Sequence, residues 1–187
     1  MQALPDTRDG DLLRRFRAGD RDAFTAVYRS HQPSVFRFAL HMTGDTGKAA
    51  ELTQDVFVWL IHHAEDFQPE RGALGSFLIG VGRKLLLRKQ YEERRWAPLG
   101  DTAVVADEGC VAGTDTAALK GAIAALPLKY REIVVLCDLQ EKTYEEASVL
   151  AGCAVGTVRS RLHRARGLLA QKLMASRHSR EVLRCSV

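Results

Sequence analysis

The sequence has no apolar run long enough to cross a membrane. Its longest stretch without a charged side chain is residues 147–158, twelve residues, whereas a spanning helix needs about twenty mostly apolar residues. Residues 1–20 carry acids and arginines throughout and lack the apolar core of a secretory signal. We therefore expect a cytoplasmic protein with no membrane insertion.

Closely spaced cysteines and metal-ligand clusters are also missing. The four cysteines, Cys110, Cys137, Cys153 and Cys185, are far apart and form no C-x-x-C pair. We interpret them as reduced thiols; a redox switch between Cys137 and Cys153 is the alternative, and it requires alpha carbons within about 7 Å. The six histidines form no ligand cluster, so the sequence predicts neither a metal site nor a cofactor.

Acidic residues are absent from one long segment. Residues 147–180 contain seven Lys or Arg and no acid, and residues 83–95 contain six Lys or Arg against two Glu. Between Arg95 and Lys120 the pattern reverses: no basic residue occurs, and Asp101, Asp107, Glu108 and Asp115 do. Two basic blocks on either side of an acidic connector indicate two modules that bind a polyanion.

What is present is a soluble globular composition with helical periodicity. The chain has 187 residues, 46% of them apolar and 27% charged, which fits one large domain or two small ones. No period-two alternation is long enough to indicate a strand, so we predict an all-α fold. It should consist of two helical domains joined by a flexible acidic linker.

In the first half, turn and cap residues separate the predicted helices. Gly19 should end a short first helix, Asp20 should cap a second one, and Pro33 should open a third that ends at Thr43-Gly44-Asp45. The next helix is strongly amphipathic, and its predicted apolar side consists of Ala49, Leu52, Val56, Trp59, Leu60 and His63. After a turn at Gly72, a longer helix should run to Arg95.

In the second half, the start and stop signals predict a helix-turn-helix. A short helix should stop at Pro127, which can open the next one. Thr143-Tyr144-Glu145-Glu146 has the form of a capping box, the strongest local helix-start signal in the chain. That helix should end near Gly152 and a new one should begin near Val155, which is the layout of a DNA-reading motif.

The last of these helices separates an apolar seam from a basic face. At about 100° per residue, the seam consists of Val158, Leu162, Ala165 and Leu169. The opposite face carries Ser160, His163, Arg164 and Gly167, with Arg159 beside them and Arg161 and Arg166 on its flanks. Arginine can bind guanine bidentately and serine can donate or accept, so this face is suited to a major groove.

These motifs resemble the bacterial sigma factors of the extracytoplasmic-function group, over nearly the whole chain. Residues 155–166, VGTVRSRLHRAR, are similar to that family's recognition helix almost letter for letter. Residues 50–57, AELTQDVF, resemble its helix that contacts the clamp of core RNA polymerase. Residues 72–88 correspond to its segment that reads and opens the minus-ten element.

The resemblance implies a division of labour between two domains. Residues 1–96 would bind the clamp helices of core RNA polymerase and read and melt the minus-ten element. Residues 97–116 would be the linker, and residues 117–187 a four-helix domain that reads the minus-thirty-five element of promoter DNA. The protein would be a non-catalytic subunit, and an anti-sigma factor would regulate it.

Residue roles carried over from the family fall into three sets. The minus-thirty-five set is Thr157, Arg159, Ser160, His163, Arg164 and Arg166. The minus-ten set is Phe77, Arg83, Lys84, Arg88 and Tyr91. The polymerase-binding set is Glu51, Gln54, Asp55 and Val58. Three residues of the minus-ten set depart from the family pattern: Phe77 replaces the usual Trp, and Lys84 and Arg88 replace Asn and Asp, so the minus-ten sequence that is read should be unusual.

Two alternatives remain open at this point. One is a stand-alone repressor or activator that uses only the helix-turn-helix, which would leave Gln54 and Asp55 without a function. The other is a metal-dependent nuclease built on Glu51, Asp55, His62 and His63, for which further ligands and a general base are not evident.

Overall fold

The described part of the chain consists of helices and turns. The computed structural model describes residues 7–96 and 115–185, and within these two ranges no strand occurs. The elements divide into two compact units. The first contains α1, most of α2, α3 and α4, and the second contains residues His41–Asp45 together with α5 to α8. The all-α prediction is confirmed, whereas the predicted linker lies outside the described residues apart from positions 115 and 116.

The helices of the first unit begin and end mostly where the cap residues predict. They are α1 (Thr7–Arg17), α2 (Arg21–Thr43), α3 (Thr46–His62) and α4 (Leu74–Trp96), and two short 3₁₀ turns, Ala64–Asp66 and Pro69–Arg71, connect α3 to α4. Asp20 caps α2 as predicted, because its carboxylate accepts the backbone N–H groups of Asp22 at 3.0 Å and Ala23 at 3.1 Å.

The prediction that Pro33 opens a separate helix was wrong. Pro33 lies inside α2, which continues unbroken through it to Thr43. A proline in a helix interior removes one backbone hydrogen bond, but Val27 and Val35 on either side of it are both buried in the same core. Packing of one continuous apolar stripe therefore outweighs the local cost of the proline.

One apolar core holds the first unit together. Its buried members are Leu13, Val27, Val35, Val56, Phe57, Leu60, Phe67, Leu74, Leu78 and Val81. Helices α3 and α4 pack closely at Gly82, where an added Cβ would lie 3.2 Å from a methyl group of Val56. The predicted apolar side of α3 needs one correction: His63 lies beyond the end of the helix and is exposed, while Phe57 is buried.

The second unit is built around its last helix. Its elements are α5 (Asp115–Ala124), α6 (Leu128–Val134), a π-helical turn (Val135–Leu139), α7 (Tyr144–Ala151) and α8 (Val155–Cys185). Helix α8 packs against α5, α6 and α7. The buried side chains of this core include Ile123, Leu126, Ile133, Leu136, Ala147, Val158 and Leu162.

A buried arginine closes the end of α5. The guanidinium of Arg131 donates to the carbonyl oxygens of Ala124 and Leu126, the latter at 3.2 Å. Ala124 is the last residue of α5 and Leu126 lies two residues beyond it, where carbonyl groups have no partner within the helix. Burial lowers the pKa of Arg131. The contacts fix the corner between α5 and α6, the helix that packs behind α8.

Candidate nucleic-acid interfaces and an apolar groove

Reciprocal capping fixes the start of α7. The backbone N–H of Glu146 donates to the Thr143 hydroxyl at 3.2 Å, and the Glu146 carboxylate accepts the N–H of Thr143 at 2.9 Å. Gly152 ends the helix in the left-handed region at φ 63°, a conformation that costs a glycine little. The capping box and the glycine stop are confirmed, and together they set the angle at which α8 begins.

Helix α8 presents the two faces that the sequence predicts. Val158, Leu162 and Ala165 are buried, at 0%, 2% and 0% exposure, and Leu169 is half-buried. The exposed side carries Arg159, Ser160, His163, Arg164 and Arg166, while Thr157 is half-buried. Since residues 155–180 contain no acid, this face is a cationic surface with hydroxyl and imidazole groups, suited to phosphates and base edges.

Three arginines of α8 have side-chain partners from three different elements. The Arg159 guanidinium lies over the ring of Tyr144, 5.8 Å from its centroid. Arg164 hydrogen-bonds Tyr130 and thereby lowers the pKa of that phenol. Arg166 binds the Asp138 carboxylate with two bonds of 3.2 and 2.6 Å, which raise the pKa of the arginine.

Sequence reasoning missed these partners. Tyr130 and Asp138 lie on α6 and on the π-helical turn, 34 and 28 residues before their arginines. The turn exists because its backbone N–H groups bond five residues back, as from Gln140 to the Val135 carbonyl at 2.9 Å. No local signal in the sequence marks that change of hydrogen-bond pattern.

A second basic face lies along α4. Lys84, Arg88, Tyr91 and Arg95, spaced at helical intervals, are all exposed, and Tyr91 is 69% exposed. Arg88 is paired with Glu92 at 3.1 Å, and Arg83 is half-buried. The stripe therefore offers cations and one free aromatic ring to a nucleic-acid strand.

Phe77 belongs to an aromatic cluster at the edge of the first core. Its ring centroid lies 5.5 Å from that of Phe67 and 5.9 Å from that of Trp59. Trp59 in turn stacks on His63 at 4.4 Å. Phe77 is half-buried, so it packs between these rings while one part of it remains accessible.

The predicted polymerase-binding residues lie on α3. Glu51, Gln54 and Val58 are exposed and Asp55 is half-buried. Lys89 of α4, which the sequence did not single out, binds Glu51 at 2.8 Å and Asp55 at 2.7 Å. Burial alone would lower the pKa of Lys89, but these two carboxylates outweigh it and raise the pKa. Both acids are thus fixed on the surface by one cation.

Beside these residues an apolar groove runs between α2 and α3. Its lining is Phe24, Tyr28, Gln32 and Phe36 from α2 and Ala50, Thr53, Gln54, Phe57, Val58 and Ile61 from α3. Tyr28, Val58 and Ile61 are each 40 to 46% exposed, an unusual exposure for neighbouring large apolar side chains. Ile61 could have been predicted as a groove residue, because it follows Val58 by three residues and so lies on the same face of α3. Tyr28 lies on another helix and could not have been predicted in this way.

Three of the four residues considered for a nuclease are engaged otherwise. Glu51 and Asp55 bind Lys89, and the Nδ1–H of His63 donates a hydrogen bond to the Trp59 carbonyl oxygen, 2.9 Å away. Across residues 7–96 and 115–185, no group of three or more His, Cys, Asp or Glu side chains could hold a metal ion. In the same two ranges, no helix is both long and apolar enough to cross a bilayer.

Cys137 and Cys153 are free thiols and both are half-buried. Burial, with a smaller contribution from the neighbouring Asp138 carboxylate, raises the pKa of Cys137. A raised pKa keeps the thiol protonated and slow to react. Cys110 lies outside the described residues.

Comparison with protein families accounts for both units. Residues 27–96 match the family model described as Sigma-70 region 2, and residues 116–169 match the one described as Sigma-70, region 4. The first match covers α3, α4 and every groove residue except Phe24, and the second covers the capped helix-turn-helix. The class defined by both matches is that of the Sigma-70 proteins.

Individual relatives indicate which group of Sigma-70 proteins this chain belongs to. SigM of Mycobacterium tuberculosis is 33% identical over 168 residues, which cover 88% of this chain and 84% of that protein. SigE of Mycolicibacterium smegmatis is 31% identical over 178 residues, 87% of this chain and 66% of that protein. Both are named as ECF RNA polymerase sigma factors. The chain belongs to the ECF (extracytoplasmic-function) group of RNA polymerase sigma factors.

Solved structures agree on the fold. The structure of the sigma factor RpoE of Bartonella quintana, solved with the anti-sigma factor NepR, matches this one with a TM-score of 0.65 at 24% sequence identity. The match covers 81% of this chain and 96% of the RpoE chain. CnrH, solved with the cytosolic domain of CnrY, has a TM-score of 0.65 at 24% identity and covers 90% and 98% of the two chains.

Proposed function

We propose that this protein directs promoter-specific transcription initiation as a dissociable subunit of RNA polymerase. It binds the core enzyme in the cytoplasm, reads the minus-thirty-five and minus-ten elements and aids strand opening, while the polymerase carries out the chemistry. The observation that carries the proposal is the exposed cationic face of α8, mounted on a capped helix-turn-helix in a member of the ECF sigma factor group.

Helix α8 would read the upstream element. Arg159, Ser160, His163 and Arg164 share its exposed face, and Thr157, one turn before Arg161, sits at the N-terminal end that enters the groove first. Arginine is suited to guanine and serine to several bases. Arg166 on the flank is bound to Asp138, but a guanidinium has five N–H donors and can also contact a phosphate.

Helix α4 would act on the downstream element. Unstacking a base costs a few kcal/mol per step, and stacking it on an aromatic side chain returns about 1 to 3 kcal/mol. Exposed Tyr91 and the accessible part of Phe77 are the aromatic groups available, with Arg83, Lys84 and Arg88 as phosphate contacts. This arrangement favours a single strand held along α4 after melting.

The groove between α2 and α3 would receive the clamp helices of core polymerase. It places the exposed apolar side chains of Val58 and Ile61 beside Gln54 and the fixed carboxylates of Glu51 and Asp55. Apolar area at the centre and charged groups at the rim are the usual anatomy of a protein interface. This groove also distinguishes the proposal from a stand-alone repressor, which would have no use for it.

Binding of core polymerase by the Val58→Glu variant tests this assignment. A carboxylate in the groove would have to be desolvated on complex formation, so we expect at least tenfold weaker binding in a fluorescence-anisotropy titration. Val149→Glu is the matched control, because Val149 is 81% exposed on α7 and far from the groove in the sequence. Equal affinity of both variants would contradict the assignment of the groove to polymerase.

An anti-sigma factor is the proposed regulator. Of the two structures of similar fold, that of RpoE was solved with the anti-sigma factor NepR, and that of CnrH with the cytosolic domain of CnrY. A partner that covers the apolar groove would block polymerase by occupying the same side chains. A candidate partner should therefore compete with core polymerase for the full-length chain, and Val58→Glu should weaken both interactions; simultaneous binding of both proteins would argue against this mode of regulation.

A further inference from the structure

The arginines of the recognition face are long side chains that would have to become ordered on DNA. Immobilising such a side chain costs about 0.5 to 1.5 kcal/mol of binding free energy, and that cost falls if the side chain is already held in the free protein. Arg159 is exposed. Its guanidinium nevertheless has a tyrosine partner outside α8.

Tyr144 holds Arg159 through its ring. It is the first residue of α7 and is half-buried, and the capping box at Thr143 fixes the backbone next to it. The Arg159 guanidinium carbon lies 5.8 Å from the ring centroid, within the range of a cation–π interaction. The contact depends on the aromatic face and does not require the phenol hydroxyl.

We propose that Tyr144 is a positioning residue for promoter recognition, which holds the guanidinium group of Arg159 in place before DNA arrives. Tyr144 does not need to touch a base, because it acts through Arg159. The inference rests on the proposed function, since it assumes that the exposed face of α8 reads DNA. The contact uses the aromatic ring and not the hydroxyl, so phenylalanine and leucine at this position should behave differently, which makes the inference testable.

The experiment measures binding of the reconstituted holoenzyme to a promoter that the wild-type holoenzyme transcribes. Tyr144→Phe, which keeps the ring, should bind like wild type, whereas Tyr144→Leu should weaken binding about threefold or more. Thermal unfolding of each full-length variant checks that the fold is intact.

A double mutant separates positioning from a direct contact or a folding defect. In an Arg159→Ala background, Tyr144→Leu should cause no further loss of binding. An additive loss, or a Tyr144→Phe variant that binds as weakly as Tyr144→Leu, would overturn the inference. Promoter binding that depends on Arg159 but not on Tyr144 would refute this inference alone, whereas no promoter binding by the wild-type holoenzyme would refute the proposed function as well.

Discussion

Leu162 and Arg164 both lie on α8, but truncating them should have opposite effects. Loss of the Leu162 side chain should lower stability, and loss of the Arg164 side chain should lower the affinity for DNA. Leu162 is 2% exposed and sits in the core of the second unit, where replacing a buried leucine by alanine costs about 3 kcal/mol in transfer and cavity terms. In a unit of this size each kcal/mol corresponds to about 4 to 8 °C. We therefore expect Leu162→Ala to lower the unfolding midpoint of that unit by about 12 °C or more.

Arg164→Ala should show the reverse. Arg164 is exposed, so its loss should change the free energy of unfolding by no more than about 0.5 kcal/mol. Loss of a base-reading arginine costs about 1 to 3 kcal/mol of DNA binding and relaxes specificity at its position, which corresponds to roughly 5- to 150-fold in affinity.

Differential scanning calorimetry and holoenzyme binding to a labelled promoter measure the two effects on the same preparations. Below the lowered midpoint, Leu162→Ala should retain most of its affinity, because the exposed face is unchanged. A stable Leu162→Ala protein, or an Arg164→Ala protein that loses stability but keeps its affinity, would show that the two faces of α8 have been assigned the wrong way round.

Three further predictions concern caps and titrating groups. Thr143→Ala should cost about 1 kcal/mol in chemical denaturation by removing the capping box, and a loss below about 0.3 kcal/mol would contradict that role. The hydrogen bond from Arg15 lowers the pKa of Asp20. The stabilising contribution of the Asp20 carboxylate is therefore complete above the unfolded pKa near 4, and it is lost as the pH falls through the lower folded pKa. Asp20→Asn should show a shallower loss of stability in acid than wild type, and identical acid profiles of the two proteins would be inconsistent with the ion pair. Cys137, whose pKa is raised by burial, should be alkylated in the native chain at pH 8 several times more slowly than in the unfolded chain, and equal rates would argue against its burial.

Local chemistry explains which parts of the fold could be predicted from the sequence. The Thr143 box, the Gly152 stop and the seam through Leu162 depend on residues within a few positions of each other, and all three are found in the structure. Asp20 as a helix cap is a signal of the same kind. Periodicity and caps therefore suffice where a helix is defined by its own sequence.

The rest depends on partners distant in the sequence. Pro33 was expected to begin a helix, but packing on both sides of it keeps α2 continuous. The π-helical turn places Asp138 against Arg166, and Lys89 reaches Glu51 from another helix. Such contacts follow from the crossing of helices, which no local pattern specifies.

In the candidate site, too, some features follow from local sequence and others depend on contacts between distant residues. Exposure of Arg159, Ser160, His163 and Arg164 followed from helical geometry alone, and the structure has all four exposed. Their roles in reading DNA remain a prediction, as do the roles of the residues on α3 and α4. Tyr28 of the groove and Tyr130 behind Arg164 became evident only once α2 and α6 were placed beside their neighbours.

Transcription in vitro tests the central claim most directly. Purified core RNA polymerase and a library of genomic DNA fragments would be incubated with and without the full-length chain, and the transcripts would be sequenced. The account predicts new start sites that appear only with the chain, share two sequence elements about two to three helical turns apart, and disappear with Arg164→Ala. Identical transcripts with and without the chain would contradict it.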